Sequence, residues 1–448
     1  MRHTIALIFI CCLLAVQISC KKYLDAKPDK SLVIPSSVAD LQALLDNNDR
    51  MNKNCPWAGE GSSDNYYLTD ADFNALTQQR YKNIYTWGEE IIFDAYPNDW
   101  SYSYDPVYYA NIVLESLSTV ERTNQNKTVW DNVKGSALFF RGKCFLSTLS
   151  LWAKAYDSTT AGSEPGIPIR LSSDFNIAST RASIQAGYDQ AITDLKNAIP
   201  LLPATPTHVM RPSKSATYAL LARTYLYVQD YTNARKYADS ALQLNSNLLD
   251  YNTISPATTP FPRFNAEVIM HFTASAMSAI RNRIDSTLYN SYSSNDLRKS
   301  LFFRNNGDGS FSFVGSYDGS TTLFCGLSTD ELYLTRAESF ARSGNAGAAL
   351  SDLNTLLRKR WKTGTFIPLT AANAADCLEL VLTERRKELL MRHLRWPDIK
   401  RQNAKGSAIT ITRKLNGQIF SLPPGDNRFA LPLPATVIAK TGIVQNPR

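Results

Sequence analysis

Residues 219–227 read Ala-Leu-Leu-Ala-Arg-Thr-Tyr-Leu-Tyr, and this stretch gives the first indication of how the chain folds. Ala222 and Tyr225 stand three positions apart, so a small and an aromatic side chain share one face of a helix. A second helical segment follows at 231–244, with alanine at positions 234, 238 and 241. Small residues allow two helices to approach closely, and an aromatic ring fills the groove between them. The sequence therefore predicts a helical hairpin.

The same pattern recurs later in the chain. Small, aromatic and apolar residues again occupy the matching positions, namely Ala337, Phe340, Ala349, Leu353 and Leu356. Hairpins of this kind are typical of tetratricopeptide (TPR) repeats. Helical periodicity also appears in other segments, which are 37–47, 104–121, 129–156, 183–200, 213–229, 329–343, 346–360 and 376–396. The expected fold is mostly α, a TPR-like scaffold of helical hairpins.

Two insertions interrupt this helical pattern, at 51–103 and 246–327. Both are rich in Asn, Ser, Asp, Tyr and Phe. Within the second, Asn-Gly and Asp-Gly pairs at 306–309 separate the short alternating runs 301–304 and 310–314, which predicts a β-hairpin. We expect the insertions to be irregular and partly β, and to form the ligand-binding region.

Residues 1–19 differ in character from the rest of the chain. Arg2 precedes the apolar run 5–16, which is too short to span a bilayer and is typical of a secretory signal peptide. Ser19 and Cys20 follow as in a bacterial lipobox, although Gln17 stands where leucine is usual. We expect Cys20 to carry lipid and residues 20–36 to form a lipidated tether. Plain signal cleavage and a transmembrane anchor are the alternatives.

Composition and charge narrow the class of protein. The chain has 448 residues, 44% hydrophobic and 20% charged, which is typical of a folded globular protein. A net charge of +8 favours acidic ligands or an anionic membrane surface. The charges are dispersed, so we expect no nucleic-acid partner. Cys55, Cys144, Cys325 and Cys377 are too widely spaced for a zinc site, which predicts buried thiols and leaves a disulfide as the alternative.

Several blocks along the mature chain carry a more specific signal. They are 20–25 (Cys-Lys-Lys-Tyr-Leu-Asp), 188–203, 211–227, 331–354, 384–389 and 431–447. In this order they resemble the SusD/RagB family of outer-membrane nutrient-binding lipoproteins, which includes SusD-like starch-binding proteins. The chain departs from the family at Met391-Arg392-His393, where an acidic residue and glycine are common.

The resemblance implies an architecture and a function. Residues 37–448 would form one SusD-like domain, in which TPR-like helices carry the ligand-binding insertions. The protein would be a surface-exposed lipoprotein of the outer membrane that captures a nutrient and passes it to a SusC-like TonB-dependent transporter. Family ligands are glycans in many cases and peptides in others, and the resemblance implies no cofactor.

The best candidate for the ligand site is the aromatic-rich region 57–109. Aromatic rings can stack on a sugar face or a peptide side chain, and nearby Asn and Asp can pair with hydroxyls or amides. Trp100 and Tyr102 are expected in an exposed loop, although packing in the core is the alternative for any single ring. The candidate ligand-binding residues are Trp57, Asp64, Asn65, Trp87, Trp100, Tyr102, Arg304 and Tyr317.

The sequence argues against an enzyme. It contains no HExxH, GxSxG or P-loop motif, so we expect no catalytic residue and no metal. The part of a calcium loop that 306–310 resembles lacks the required glycine and distal glutamate. Paired acids at 89–90 could serve a cell-surface hydrolase, which remains a less favoured alternative. The basic runs 358–360 and 385–387 are predicted to lie on exposed helix surface with ion pairs to Glu384 and Glu388, and docking to the transporter barrel or to an anionic ligand is the alternative.

Overall fold

The computed structural model describes residue 35 and residues 37–88, 92–93, 96–274 and 283–448, so Cys20 lies outside the described residues. Helices dominate, as the periodicity predicts. They are α1 Val38–Leu45, α2 Asn48–Met51, α3 Ala58–Ser62, α4 Asp70–Asn74, α5 Gln79–Thr86, α6 Asp99–Leu117, α7 Lys127–Trp152, α8 Ile184–Ala198, α9 Lys214–Tyr227, α10 Tyr231–Leu244, α11 Ser286–Asn290, α12 Arg298–Leu301, α13 Thr329–Arg342, α14 Ala346–Arg358, α15 Ala374–Glu388, α16 Arg395–Asn403 and α17 Ala435–Thr441.

The strands are short and belong to several small sheets. They are β1 Tyr66–Tyr67, β2 Pro165–Pro168, β3 Arg181–Ser183, β4 Val268–Met270, β5 Thr273–Ala274, β6 Arg283–Ile284, β7 Phe303–Asn305, β8 Phe311–Phe313, β9 Leu323–Phe324, β10 Leu327–Ser328, β11 Ile411–Leu415 and β12 Gln418–Leu422. One sheet has the order β1-β6-β8-β7, and the other strands pair as β10-β4, β5-β9, β11-β12 and β2-β3. In the described part of the chain, no helix has both the length and the apolar composition that crossing a membrane requires.

Both predicted helical hairpins are present. In the first, α9 packs on α10, and Ala222 and Ala238 are completely buried between them. The second pairs α13 with α14 around Ala337 and Ala349, which are buried in the same way. Helix α10 also packs against α13. The insertion 246–327 therefore separates the two hairpins in sequence while they remain neighbours in space.

Helix α6 begins earlier than the sequence predicts. It starts at Asp99, five residues before the predicted position 104, because Asn98 and Ser101 form a capping box. The Ser101 N–H donates to Asn98 Oδ1 at 3.0 Å, and the Asn98 N–H donates to Ser101 Oγ at 2.9 Å. These bonds satisfy N–H groups that a helix start otherwise leaves unpaired. The prediction that Trp100 and Tyr102 lie in a loop is therefore wrong.

The predicted helix 376–396 is two helices. Helix α15 ends at Glu388 and α16 begins at Arg395, and the chain turns between them with positive φ at Met391 (58°) and His393 (62°). This is the place where the sequence departs from the family pattern. The left-handed backbone conformation is unfavourable for residues with a side chain, so surrounding contacts must hold it.

The predicted β-hairpin is confirmed. Strands β7 and β8 are antiparallel, with Phe303 opposite Phe313 and Asn305 opposite Phe311. Beside the connecting loop, the Arg283 guanidinium donates to Ser310 Oγ at 2.6 Å and to the Asp308 carboxylate. A cationic side chain thus already contacts the loop oxygens that resemble part of a calcium site.

The prediction of exposed basic runs is only partly right: Arg358 is exposed and Lys359 is half-buried, but the other members of the two runs lie mostly inside the fold. Arg360 and Arg385 are both buried. Arg360 donates to Glu267 Oε1 at 2.8 Å and to Glu388 Oε1 at 2.7 Å. Glu267 and Glu388, together with Asp330, are the described acidic residues close enough to one another to hold a cation. Because arginines already pair with them, they act as one buried ionic network.

Candidate ligand-binding site

An open cavity of about 540 Å³ lies between the first half of α6, the segment 168–179 and helix α17. We call it the aromatic cavity. Its volume falls in the range of small-molecule sites. The aromatic side chains that line it are Tyr96, Trp100, Tyr104, Tyr108 and Phe175, and the polar ones include Asn98, Ser101, Asn111, Arg170, Ser172, Ser173, Ser179 and Lys440.

One face of α6 supplies most of the rings. Trp100, Tyr104 and Tyr108 follow one another at four-residue intervals, so their side chains project from the same side of the helix. The Trp100 and Tyr104 rings are in contact, with centroids 4.9 Å apart. Asn111 continues this row to the far end of the cavity. The early start of α6 is what brings Trp100 into the row.

Hydrogen bonds fasten the segment 168–179 to α6. The Tyr104 hydroxyl donates to the Pro168 carbonyl at 2.8 Å, and Asn111 Nδ2 donates to the Arg170 carbonyl at 3.0 Å. Burial raises the pKa of Tyr104 well above its ordinary value, so the phenol remains a neutral donor. Glu115 accepts from the Ser172 hydroxyl at 2.8 Å. Two walls of the cavity are therefore joined by neutral and charged hydrogen bonds.

The third wall is tied down through the C-terminal segment. Helix α17 ends at Thr441 and is capped by Gly442, whose φ of 69° suits glycine because a side chain there would be strained. Beyond it, Asn446 Nδ2 donates to the Trp152 carbonyl at 2.8 Å, and Arg181 donates to the Val444 carbonyl at 3.0 Å. These contacts hold α17 against the rest of the fold. The cavity walls thus come from three distant parts of the sequence.

The rings differ in how much surface they offer. Phe175 is 84% exposed, Tyr96 67% and Tyr108 45%. Trp100 is only 8% exposed and Tyr104 is half-buried. The cavity therefore has a fixed aromatic floor on α6 and more accessible rings at its rim. Such an arrangement can stack against the flat apolar face of a ligand while hydroxyl and amide groups meet its polar edge.

Of the candidate residues from the sequence, Trp100 lines the aromatic cavity. Tyr102, on the same helix, is half-buried and does not line it. Burial and the nearby Asp99 carboxylate raise the pKa of Tyr102. Residues two positions apart on a helix point in different directions, which explains the separation.

The other two candidate tryptophans have structural contacts. The Trp87 indole is buried, and its Nε1 donates to the Ser62 carbonyl at 3.0 Å. Trp57 is half-buried and packs edge-on against Tyr81, with centroids 5.6 Å apart. Trp87 offers a soluble ligand no open ring face, so it belongs to the core.

Asp64 and Asn65 also make internal contacts. Asp64 accepts two hydrogen bonds from Arg395, at 2.6 and 2.7 Å, and this guanidinium helps to hold the pKa of the Asp64 carboxyl well below its ordinary value despite burial. Asn65 is buried and donates to Glu60 Oε1 at 2.8 Å. These side chains fix the turn before β1 against α16.

Arg304 and Tyr317 lie apart from the cavity. Arg304 is exposed on β7. Tyr317 is completely buried, and its hydroxyl bonds to Glu267 Oε2 at 2.7 Å and to the Tyr251 hydroxyl at 2.7 Å. Burial raises the pKa of Tyr317 well above its ordinary value. Tyr317 is therefore a core residue, and the predicted residues do not form one site.

Tyr104, Tyr108, Asn111 and Phe175 line the cavity and are not among the candidate residues predicted individually from the sequence. Tyr104 and Tyr108 lie in the aromatic-rich region 57–109, and the sequence does contain a pattern that points to them. Their spacing from Trp100 is that of one helix face, but it has meaning only when the helix includes Trp100. Phe175 has no comparable signal, because it lies in an irregular segment.

The fold and the cavity together define a TPR-like helical protein with an open, aromatic-lined cavity. Two family profiles match the sequence. A SusD-like profile described as "Starch-binding associating with outer membrane" matches residues 22–226, and a profile described as "SusD family" matches residues 329–447. The chain belongs to the SusD/RagB family. No curated protein matches the sequence.

Solved structures share the fold over almost the whole chain. A SusD superfamily protein from Bacteroides thetaiotaomicron is 19% identical, with a TM-score of 0.73 over 92% of this chain and 100% of its own. A putative sugar binding protein from Bacteroides vulgatus is 20% identical, with a TM-score of 0.73 over 93% and 99%. A laminarin binding SusD-like protein is 17% identical, with a TM-score of 0.65 over 91% and 98%.

Proposed function

We propose that this protein captures an oligosaccharide in the aromatic cavity at the cell surface and passes it to a SusC-like TonB-dependent transporter. The observation that carries the proposal is the row of Trp100, Tyr104 and Tyr108 on one face of α6, which lines the same cavity as Phe175. Sugar rings present apolar faces edged by hydroxyls, which matches this mixture of aromatic and neutral polar groups. The residue-level ligand contacts are part of this proposal.

The comparisons support a glycan more than a peptide. One matching profile is described as starch-binding, and two of the similar structures are described as sugar binding and laminarin binding. The polar side chains that line the cavity could also pair with a peptide backbone, so the choice of a glycan rests on these comparisons. We further propose that the protein binds its ligand without changing it chemically.

Moderate affinity follows from the open shape of the cavity. Each ring that stacks on the ligand contributes about 0.5–1.5 kcal/mol beyond its area burial, by analogy with aromatic pairs. Most of the stacking surface lies on exposed rings, so little protein rearrangement is needed for release. A capture protein that hands its ligand to a transporter requires this balance between binding and release.

Calorimetric titration of oligosaccharides into the purified protein tests the binding step. Phe175→Ala and Tyr108→Ala should weaken binding several-fold and change the melting temperature little, because Phe175 is largely exposed and Tyr108 is 45% exposed. Ile419→Ala removes an exposed apolar side chain outside the cavity and serves as the control. Equal binding by all of these variants would place the ligand elsewhere, and release of shortened products during incubation would support a hydrolase.

Membrane anchoring through Cys20 is also a proposal. Lipid on this cysteine would hold the protein at the outer membrane, since two or more acyl chains give stable anchoring. Cys20→Ala should move the protein from the membrane fraction to the soluble fraction and abolish labelling with fatty acid. Cys377→Ala, which removes a buried thiol far along the chain, is the control. Membrane retention without label would contradict the proposal.

The transporter partnership is tested by co-purification. A TonB-dependent barrel encoded beside this protein should remain bound to it through solubilisation with mild detergent. Loss of nutrient uptake on deletion of this protein, restored by the wild-type chain, would show that the complex is functional. A barrel that imports the same nutrient equally well without this protein would contradict the proposed delivery step.

A further inference from the structure

The charges that line the aromatic cavity all have one sign. Arg170 reaches it from the segment 168–179, and Lys440 reaches it from the last turn of α17. No carboxylate is found among the described residues that line the cavity. A neutral sugar needs no such charge, whereas an anionic ligand is attracted by it.

Carboxylates near the rim are engaged in the fold of the neighbouring segment. Glu115 accepts from the Ser172 hydroxyl at 2.8 Å and from the Ser173 N–H at 2.9 Å, and these hydrogen bonds lower its pKa despite the opposing effect of desolvation. Asp174 accepts from the Asn176 N–H at 2.8 Å. Neither lines the cavity. They stabilise the wall without neutralising the cations that face the ligand space.

Arg170 is held in place by uncharged partners. Its guanidinium donates to the Ile177 and Asp174 carbonyls and to Ser179 Oγ. Among the described residues, no carboxylate forms an ion pair with it. Backbone carbonyls orient the guanidinium without pairing it with a carboxylate. A guanidinium in this state forms strong, charge-assisted hydrogen bonds with carboxylate or sulfate oxygens.

Lys440 is exposed, and within the described part of the chain it has no ion-pair partner. Its flexible side chain can move the ammonium group toward a charged group on a bound ligand. The planar guanidinium of an arginine is more rigid and adjusts less easily. The two cations thus differ in mobility, with Arg170 held by the loop and Lys440 free to adjust. The chain as a whole carries a net charge of +8, which adds a weaker, long-range attraction of the same sign.

From these observations we infer that the ligand is an anionic oligosaccharide. Its carboxylate or sulfate substituents contact Arg170 and Lys440, while its sugar rings stack on the aromatic side chains of the cavity. This inference rests on the proposed function and names the class of glycan. Uronic acids and sulfated sugars share the required chemistry, and the experiment separates them.

The test is a calorimetric titration of the purified full chain with matched tetrasaccharides. The probes are tetragalacturonate, a κ-carrageenan tetrasaccharide, which carries sulfate but no carboxylate, and the neutral maltotetraose and laminaritetraose. We expect at least about tenfold tighter binding of one anionic probe at low salt, a difference of about 1.4 kcal/mol. The preference should shrink at high salt, because exposed charges are screened. The better of the two anionic probes identifies the substituent as carboxylate or sulfate.

Two lysine variants separate the site from general charge attraction. Lys440→Gln should weaken binding of the anionic probe several-fold and leave binding of a neutral probe unchanged. Lys414→Gln removes the same charge from an exposed position on β11, outside the cavity, and should have no such effect. Equal losses in both variants would overturn the inference, because the attraction would not arise at this site.

The remaining outcomes distinguish this inference from the proposed function. If a neutral tetrasaccharide binds as tightly as the anionic ones and Tyr108→Ala weakens it, the inference is overturned and glycan capture in the cavity stands. If a probe binds but neither Phe175→Ala nor Tyr108→Ala weakens its binding, glycan capture in this cavity is contradicted as well. Binding of the anionic probe should also weaken in Arg170→Lys, because lysine retains the charge but lacks the paired donors of the guanidinium.

Discussion

The indole of Trp100 packs edge-on against the indole of Trp152, with ring centroids 5.1 Å apart and ring planes at 80°. Trp152 is completely buried at the end of α7, so this contact joins the floor of the aromatic cavity to the core. Trp100 therefore serves two purposes: one edge belongs to the cavity and the rest belongs to the folded interior.

Trp100→Ala should lower the free energy of unfolding by about 3–5 kcal/mol, the usual cost of removing a large buried aromatic. Tyr102→Ala should cost much less, because Tyr102 is only half-buried. Urea denaturation of both variants measures the difference. Trp100→Phe, which retains an aromatic ring, is the control and should lose less. A Trp100→Ala variant as stable as the wild type would show that the ring is not packed as described.

Stability should depend on pH through Asp99. Burial raises the pKa of Asp99 from 3.8 to about 7, although hydrogen bonds from the Ala58 and Trp57 N–H groups oppose the shift. Its folded pKa is above its unfolded pKa, so its contribution is fully present below about pH 4 and is lost as the pH rises through about 7. The loss is at most about 1.4 kcal/mol per pH unit in this window.

Asp99→Asn should remove this dependence. The amide oxygen of asparagine can still accept both backbone hydrogen bonds, which Asp99 Oδ2 accepts at 3.0 and 2.8 Å. The melting temperature of the variant relative to the wild type should therefore rise between pH 4 and pH 7. Comparing the two proteins at each pH cancels the titration of other groups. A constant difference across this range would mean that Asp99 has an ordinary pKa.

The helical hairpins should not tolerate larger side chains at their crossings. Ala222 and Ala337 are both completely buried, so Ala222→Leu or Ala337→Leu should destabilise the protein by about 1–3 kcal/mol through overpacking. Gly347→Ala adds a methyl group in the second hairpin, where the nearest atom to the new Cβ is Asn345 Oδ1 at 3.9 Å. This control should be neutral or stabilising, by up to about 1 kcal/mol. Unchanged melting of both leucine variants would contradict the hairpin packing.

The buried ionic network should be sensitive to the loss of one member. Arg360→Met leaves Glu267 and Glu388 without a shared cation and should cost about 3–5 kcal/mol in unfolding free energy. Lys359→Met, at the next position, breaks an exposed pair with Asp250 and should cost less than about 1 kcal/mol. Chemical denaturation of both variants gives the comparison. Similar costs for the two would show that burial does not govern the Arg360 network.

Local sequence patterns predicted much of the fold. The hairpins at 213–244 and 329–360, the helix at 183–200 and the β-hairpin after Leu301 agree with the structure to within a few residues. Periodicity and turn chemistry are local properties, so they can be read without knowledge of distant contacts. The sequence predicts the start of α6 too late in the chain. The reason is that its capping residues, Asn98 and Ser101, lie in an aromatic-rich stretch whose composition is typical of a loop.

The sequence by itself determined the class of fold and the family, and it indicated the region 57–109 as the best candidate for a ligand site. Only the tertiary structure decided which aromatic rings remain available to a ligand. Trp87 and Tyr317 are enclosed by residues distant in sequence, such as Arg413 over the Trp87 ring and Glu267 at the Tyr317 hydroxyl, whereas Phe175 stays exposed. Burial depends on which distant segments meet, and that information is not present in the local order of residues.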